Sequence, residues 1–167
     1  MKKLVIWIVI VFVAFTSFDK ERNSSDVYKP VFMTRDMLEN SVMYLEGARD
    51  MIQTGKIYYR APYIYVNERY KGVHVINNSD PYHPVKEGFI SAPGCIDMAA
   101  KGNILYLDNA VDLVSFDLNV KEVTKRIRNV LPEPLPPDDF FRYRHEKRPQ
   151  GYIVVNWVKV EKKTNKD

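Results

Sequence analysis

Apolar positions follow three regimes along the chain. From Leu4 to Phe15 they run unbroken for twelve residues, behind the basic pair Lys2 and Lys3. That is the length of a secretory h-region behind an n-region, and short of the roughly 20 residues of a membrane span. Residues 1–17 are therefore expected to be a signal peptide or a signal anchor. Ala14 and Thr16 suit positions −3 and −1 of a cleavage site only in part, because Thr is not the usual −1 residue, so both fates stay open. No cysteine ends the run, so nothing there could carry a lipid. Residues 18–28, with Asp19 to Asp26 entirely polar, read as a flexible spacer.

A helical period follows. Met37, Leu38, Ser41, Val42 and Leu45 share one side at helical spacing, Thr34 can cap the start and Asp36 suits the first turn. These features predict a helix from about Arg35 to about Leu45, ended by Gly47, with Met33, Met37 and Met43 packing in the core.

From Gly55 the pattern turns to short β-branched and aromatic runs separated by Gly, Pro and Asx residues. The expected strands are Lys56–Arg60, Tyr63–Asn67, Val73–Asn77 and Val85–Ser91, then Ile96–Lys101, Ile104–Asp108, Leu113–Asp117 and Val123–Val130. Lys101-Gly102-Asn103 reads as a tight hairpin turn, with Gly102 and Asn103 supplying positive φ. The two sets form an internal repeat, with units at about 55–94 and 95–134. At an offset of 41, Ile64 and Val66 lie over Leu105 and Leu107, and all four are expected buried in equivalent positions. For the third strand an offset of 40 is preferred. It places Asn77 over Asp117, where an Asx side chain can start the next turn, and shortens the preceding loop by one residue in the second copy. Four strands recurring about every 40 residues are the pattern of a propeller blade, whose sheet has two faces to cover. The Pro-rich spacer 131–137 is semi-rigid, Gly151–Val160 reads as one more strand, and 161–167 is a charged tail. The folded part is thus 29–160: mainly β, two propeller-blade-like antiparallel units with one short N-terminal helix and a C-terminal strand. Two blades leave open faces. The helix and the last strand, with Ile153, Val155 and Trp157 on one side, are the covers within reach.

At the repeat the residues carry a family resemblance. Gly55-Lys56-Ile57-Tyr58, Tyr63-Ile64-Tyr65-Val66-Asn67-Glu68 and Lys71-Gly72-Val73-His74-Val75-Ile76-Asn77-Asn78-Ser79-Asp80-Pro81 resemble the first unit of LVIVD-repeat proteins, exported proteins of Bacteroidetes-type bacteria. Ile90-Ser91-Ala92-Pro93-Gly94 and Asp97-Met98-Ala99-Ala100-Lys101-Gly102-Asn103 are similar to the next segment. Asp112-Leu113-Val114-Ser115-Phe116-Asp117 stands where the name motif falls, with Ser115 and Phe116 as departures. The resemblance covers about Lys29 to Val160. It implies a propeller-like β fold and no activity. Many members are lipoproteins and longer members carry more repeats, which keeps a truncated member open as a reading.

Composition narrows the chemistry. In 167 residues, 25 Lys and Arg against 21 Asp and Glu give a net charge of +4, too mild and too scattered for a nucleic-acid binder. A single cysteine, Cys95, excludes an intrachain disulfide framework and a Cys-rich zinc site. His74, His83 and His145 have no metal-binding spacing among them, and no Ser/His/Asp arrangement stands out. Asp80, Asp97, Asp108, Asp112 and Asp117 lack the D-x-D-x-D spacing of a calcium loop and read as turn formers. No catalytic, cofactor-binding or metal-ligating residues are therefore expected. The candidate interaction surface is Tyr58, Tyr63, Tyr65, Arg69 and Tyr70, aromatics interleaved with cations that suit a protein or a glycan. The expected protein is exported and non-catalytic, periplasmic or membrane-anchored, touching the membrane only through its N-terminal segment. An envelope hydrolase using acidic loop residues is the alternative.

Overall fold

The computed structural model describes residues 27–137 and 148–160. The signal segment, most of the spacer, His145 and the charged tail lie outside the described residues. The described part is mainly β, in three antiparallel sheets, none of them closed.

A five-stranded sheet holds β2 (Met43–Glu46), β3 (Thr54–Arg60), β4 (Tyr63–Glu68), β5 (Gly72–Asn77) and β6 (Val85–Ser91), in the order β2-β6-β5-β4-β3. A four-stranded sheet holds β7 (Met98–Lys101), β8 (Ile104–Asn109), β9 (Asp112–Asp117) and β10 (Glu122–Ile127), in sequence order. A two-stranded ribbon pairs β1 (Val27–Thr34) with β11 (Tyr152–Val160). Strands β3 to β6, β8, β9 and β11 fall where the apolar runs place them to within two residues, β7 starts two residues late, and β10 ends three residues before Val130.

Three expectations are corrected. The helix α1 is one short turn, Arg35–Glu39, capped by the Thr34 hydroxyl accepting from Met37 N at 3.3 Å. The second half of the expected helix is strand β2, drawn out by the free edge of β6: Tyr44 lies opposite Ile90 and Leu45 opposite Phe89. With the helix cut short, Met37 and Met43 are exposed and only Met33 packs inward. Next, the spacer ends sooner than position 28, because Val27 and Tyr28 already pair with Val160 and Lys159. Last, only Gly102 of the 101–103 turn takes positive φ (59°). Asn103 instead ties the hairpin to β9, its Nδ2 donating to Asp117 Oδ1 at 2.8 Å.

The two larger sheets share their hairpin registers. Arg60 faces Tyr63 as Lys101 faces Ile104, and Tyr63 faces Asn77 as Ile104 faces Asp117. The offset is thus 41 in the first two strands and 40 in the third. The 40 enters at the β4–β5 turn, where Tyr70 and Ala110 correspond and both take positive φ (63° and 56°). The third and fourth strands share a bulge, a device that strengthens local twist. Val75 and Ile76 face Gly88 and Lys86, skipping Glu87. Ser115 and Phe116 face Lys125 and Val123, skipping Thr124. After the third strand, Asn77 Oδ1 accepts from Ser79 N at 2.9 Å and Asp117 Oδ1 from Asn119 N at 2.8 Å, the same Asx turn twice.

The main core lies between these sheets. Tyr65, Val73, Val75 and Ile90 pack with Met98, Leu105, Leu107 and Phe116. Tyr65 belongs to the side of β4 opposite Ile64 and Val66. The first sheet therefore presents one side to the core while the second presents the register-equivalent of the other side. Leu105 and Leu107 are fully buried as expected and Val66 nearly so, but Ile64 is only half-buried. The first strands adjoin along one edge: Lys56 Nζ lies 2.6 Å from Asp97 Oδ1, and Tyr58 Oη donates to Ala100 O at 3.4 Å.

A smaller core holds the ribbon in place: Ile153 and Val155 bury against Leu38, Ala110 and Val111. Strand β11 is thus spent on β1 and on the β8–β9 turn and covers neither outer sheet face. Trp157 is half-buried, its Nε1 donating to Pro134 O in the Pro-rich spacer at 2.8 Å.

Candidate functional site

The tyrosines singled out in the sequence do not form one exposed patch. Tyr58 and Tyr63 are half-buried against the core, and Tyr65 is inside it. Strict alternation along β3 and β4 sends these side chains inward, toward Leu105 and Phe116. Tyr70 is buried in the turn after β4, its hydroxyl donating to Leu135 O at 2.7 Å, with the half-buried Arg69 guanidinium 5.1 Å from its ring centroid. Among the described residues the exposed tyrosines are Tyr59 on β3 and Tyr82 in the β5–β6 loop, at 60 % and 89 %.

The concave feature lies on the outer side of the five-stranded sheet. Residues 47–53, between β2 and β3, cross over β4, β5 and β6 and leave a shallow concavity of about 370 Å³, lined by Arg49, Asp50, Lys71, His74, Phe89 and Glu68 among others. At its floor His74 Nε2 and Glu68 Oε2 are 3.4 Å apart, both side chains 2 % exposed. Glu68 accepts from Gln53 N at 2.8 Å and from Ile52 N at 3.1 Å, which pins the crossing segment to the sheet. The Arg49 guanidinium stands 5.6 Å from the Phe89 ring centroid, and the His74 ring meets the same ring edge-on.

The charges follow from these contacts. Burial pushes the Glu68 carboxyl up, but the N–H groups of Gln53 and Ile52, then His74 and Lys71, outweigh it and hold the group below its ordinary value. Burial lowers His74, and the Glu68 carboxylate does not fully offset it, so the ring is neutral at pH 7. A buried neutral histidine beside a carboxylate that is already accepting two backbone N–H bonds holds a loop. Neither group is open to a substrate in the concavity.

Of the acidic residues expected to form turns, two do so: Asp80 Oδ1 accepts from Tyr82 N at 2.9 Å and Asp117 Oδ1 from Asn119 N at 2.8 Å. Asp108 Oδ2 instead accepts from Asp97 N between β7 and β8 at 2.9 Å, and Asp97 pairs with Lys56. Among the described residues no group of three or more His, Cys, Asp or Glu side chains could hold a metal ion. Cys95 is fully buried, and desolvation first, then the Asp108 and Asp97 charges, push its thiol far up, away from the thiolate a nucleophile needs.

One polar cluster has no signal in the sequence. Asp112 is fully buried and accepts from Arg35 Nη1 at 2.6 Å, Arg126 Nη1 at 2.8 Å and Asn129 N at 3.0 Å. Arg126 also donates to Asn109 Oδ1 at 2.7 Å and to Glu39 O at 3.3 Å. The cluster fastens α1 to the β8–β9 turn. Burial raises the Asp112 carboxyl, but Arg35, the Asn129 N–H and Arg126 outweigh it and hold it ionised. Its partners are 14 to 77 residues away, too far for any local pattern to betray them.

No protein-family model matches the chain, and neither the curated proteins nor the solved structures contain a significant match to it. Among the described residues no helix is long and apolar enough to cross a membrane.

Proposed function

We propose that the chain is an exported, non-catalytic β-repeat protein presenting an interaction surface in the cell envelope. On this reading its two larger sheets are successive propeller-blade-like units of the LVIVD-repeat kind. The observation that carries the repeat reading is the coincidence of hairpin registers, bulge and Asx turn between strands β3–β6 and β7–β10. Accidental similarity of two meanders has no reason to reproduce a bulge at the same step. Front-to-back stacking supports it too, since a blade buries one side on its neighbour's opposite side.

The non-catalytic reading is supported by the occupation of the polar groups. Glu68 holds residues 52 and 53, Asp112 holds two arginines, Asp80 and Asp117 start turns, and Asp97 pairs with Lys56. Export is supported by Lys2, Lys3 and the run from Leu4 to Phe15. The surface so presented is the outer side of the five-stranded sheet, where Ile57 and Tyr59 stand in solvent on β3 and Arg49 and Lys71 line the concavity. A reporter enzyme active only outside the cytoplasm, fused after Asp26, should be active. Activity of a cytoplasm-restricted reporter alone would overturn the export reading.

A further inference from the structure

The register correspondence bears on the two sheet faces that the described residues leave open, and the argument rests on the two-unit reading above. The four-stranded sheet buries Met98, Ala100, Leu105 and Phe116 against its neighbour. Their equivalents on the five-stranded sheet are Ile57, Tyr59, Ile64 and Ile76, all large and apolar and all on its outer face. Ile57 is 69 % exposed and Tyr59 60 %, while Ile64 and Ile76 are half-buried. Residues 47–53 cover the far part of this face, over His74 and Phe89, and leave the β3 side open.

The converse holds on the other sheet. The five-stranded sheet packs Tyr58, Tyr63, Tyr65, Val73 and Ile90 into the inter-sheet core. Their equivalents on the outer face of the four-stranded sheet are Ala99, Ile104, Tyr106, Leu113 and Ile127, again all apolar. Solvent-facing strand positions normally alternate to polar residues. Here both outer faces keep most of the chemistry of the faces that pack together inside the chain, with Ser115, in the place of Val75, as the polar exception.

Each open face therefore matches the side of the opposite sheet that is already buried. We propose that copies of this chain associate head to tail. The Ala99–Tyr106–Leu113–Ile127 face of one copy seats on the Ile57–Tyr59–Ile64–Ile76 face of the next, repeating the inter-sheet interface between molecules. The charges agree. Lys56 and Asp97 are themselves equivalent positions at the offset of 41, and they pair across the internal interface at 2.6 Å. The same stacking step turns Asp97 of one copy toward Lys56 of the next, and both side chains are more than half exposed. The contact is heterologous: two different surfaces meet, and it grows into a ring or an open array instead of stopping at a two-fold dimer.

The test uses the full chain in a mild detergent, with Ile57→Glu to block one face and Ala99→Arg to block the other. Both positions are exposed, so folding is not at stake. Tyr59→Lys and Ile127→Lys are second variants of the same two faces. Light scattering should give wild type a mass of two or more copies that rises with concentration, and each variant alone the monomer mass. An equimolar mixture of Ile57→Glu and Ala99→Arg should give a one-to-one dimer and nothing larger, because each supplies the face the other has lost. A monomeric wild type overturns the proposal and leaves the two-unit reading intact. Association indifferent to both substitutions, as through the apolar run 4–15, overturns it as well. So do variants that are monomeric alone but fail to pair when mixed, since that is the behaviour of a two-fold contact.

Discussion

Phe116 and Ile76 occupy the same place in their sheets, the first residue after the shared bulge, yet Phe116 is fully buried and Ile76 half-exposed. Leu105 and Ile64 differ in the same way. The strands, registers and turns around each pair agree, so local sequence does not make the difference. A neighbouring sheet does: the four-stranded sheet has one against its inner face, while the five-stranded sheet offers its equivalent face to solvent and to residues 47–53. Register within the sheet fixes which side a residue takes, and a neighbouring sheet fixes whether that side is core.

This contrast can be broken most sharply at its centre. Phe116→Ala should lower unfolding free energy by about 3–5 kcal/mol, the range for a buried phenylalanine that leaves a cavity. Ile76→Ala, at the equivalent place, should cost well under half as much, because less of its side chain leaves water. Chemical denaturation of the two variants with parallel slopes checks this, and equal losses would mean that both faces are equally covered.

A smaller effect separates the sheets through their polar anchors. Asp112→Ala leaves Arg126 with a buried guanidinium short of its carboxylate, a loss of about 3 kcal/mol. Arg35 loses the same partner, which should loosen α1 and the ribbon ahead of the five-stranded sheet. Amide exchange should therefore quicken at Leu38 and Ile153 and stay slow at Val73. Uniform quickening would show that the ribbon and the sheets unfold as one unit.

How far the fold was legible follows from the same contrast. The strands of both sheets could be read because β-branched runs and Gly, Pro and Asx punctuation are local signals, and the offset of 40 was decided by one Asx turn. Strand β1 was missed because Pro30 interrupts its run. A two-stranded ribbon tolerates proline, because the outward side of each strand has no second neighbour to need the N–H that proline lacks, and Pro30 sits opposite Trp157. Strand β2 was read as helix because its helical period is genuine and only the edge of β6, more than 40 residues on, overrides it. The tyrosine surface failed at Tyr65 and Tyr70, since composition cannot say which sheet side acquires a neighbour. The Asp112 cluster and the Glu68 clamp are assembled wholly by tertiary contact.

The smallest expected effect is a pH dependence that begins in the five-stranded sheet. His74 has its folded pKa below the ordinary 6.5. As pH falls through that ordinary value the unfolded chain takes up a proton that the folded one resists. Stability is therefore complete above pH 6.5 and declines below it, until the folded pKa is reached. Glu68, held below its ordinary 4.5, adds a second loss at lower pH, as acidification removes the charged form that the folded state favours. In His74→Gln the first decline should vanish and the second remain. A stability curve for His74→Gln parallel to wild type between pH 7 and about 5 would assign the decline to other groups.

Front-to-back stacking of the two register-equivalent sheets can be read from nuclear Overhauser contacts in the isotopically labelled protein. Cross-peaks are expected to join side-chain protons of Val73, Val75 and Ile90 on one sheet to those of Leu105, Leu107 and the Phe116 ring on the other. Cross-peaks running to Leu105 and Phe116 from Ile57 and Ile64 instead, with Val73 and Val75 silent toward the second sheet, would contradict it.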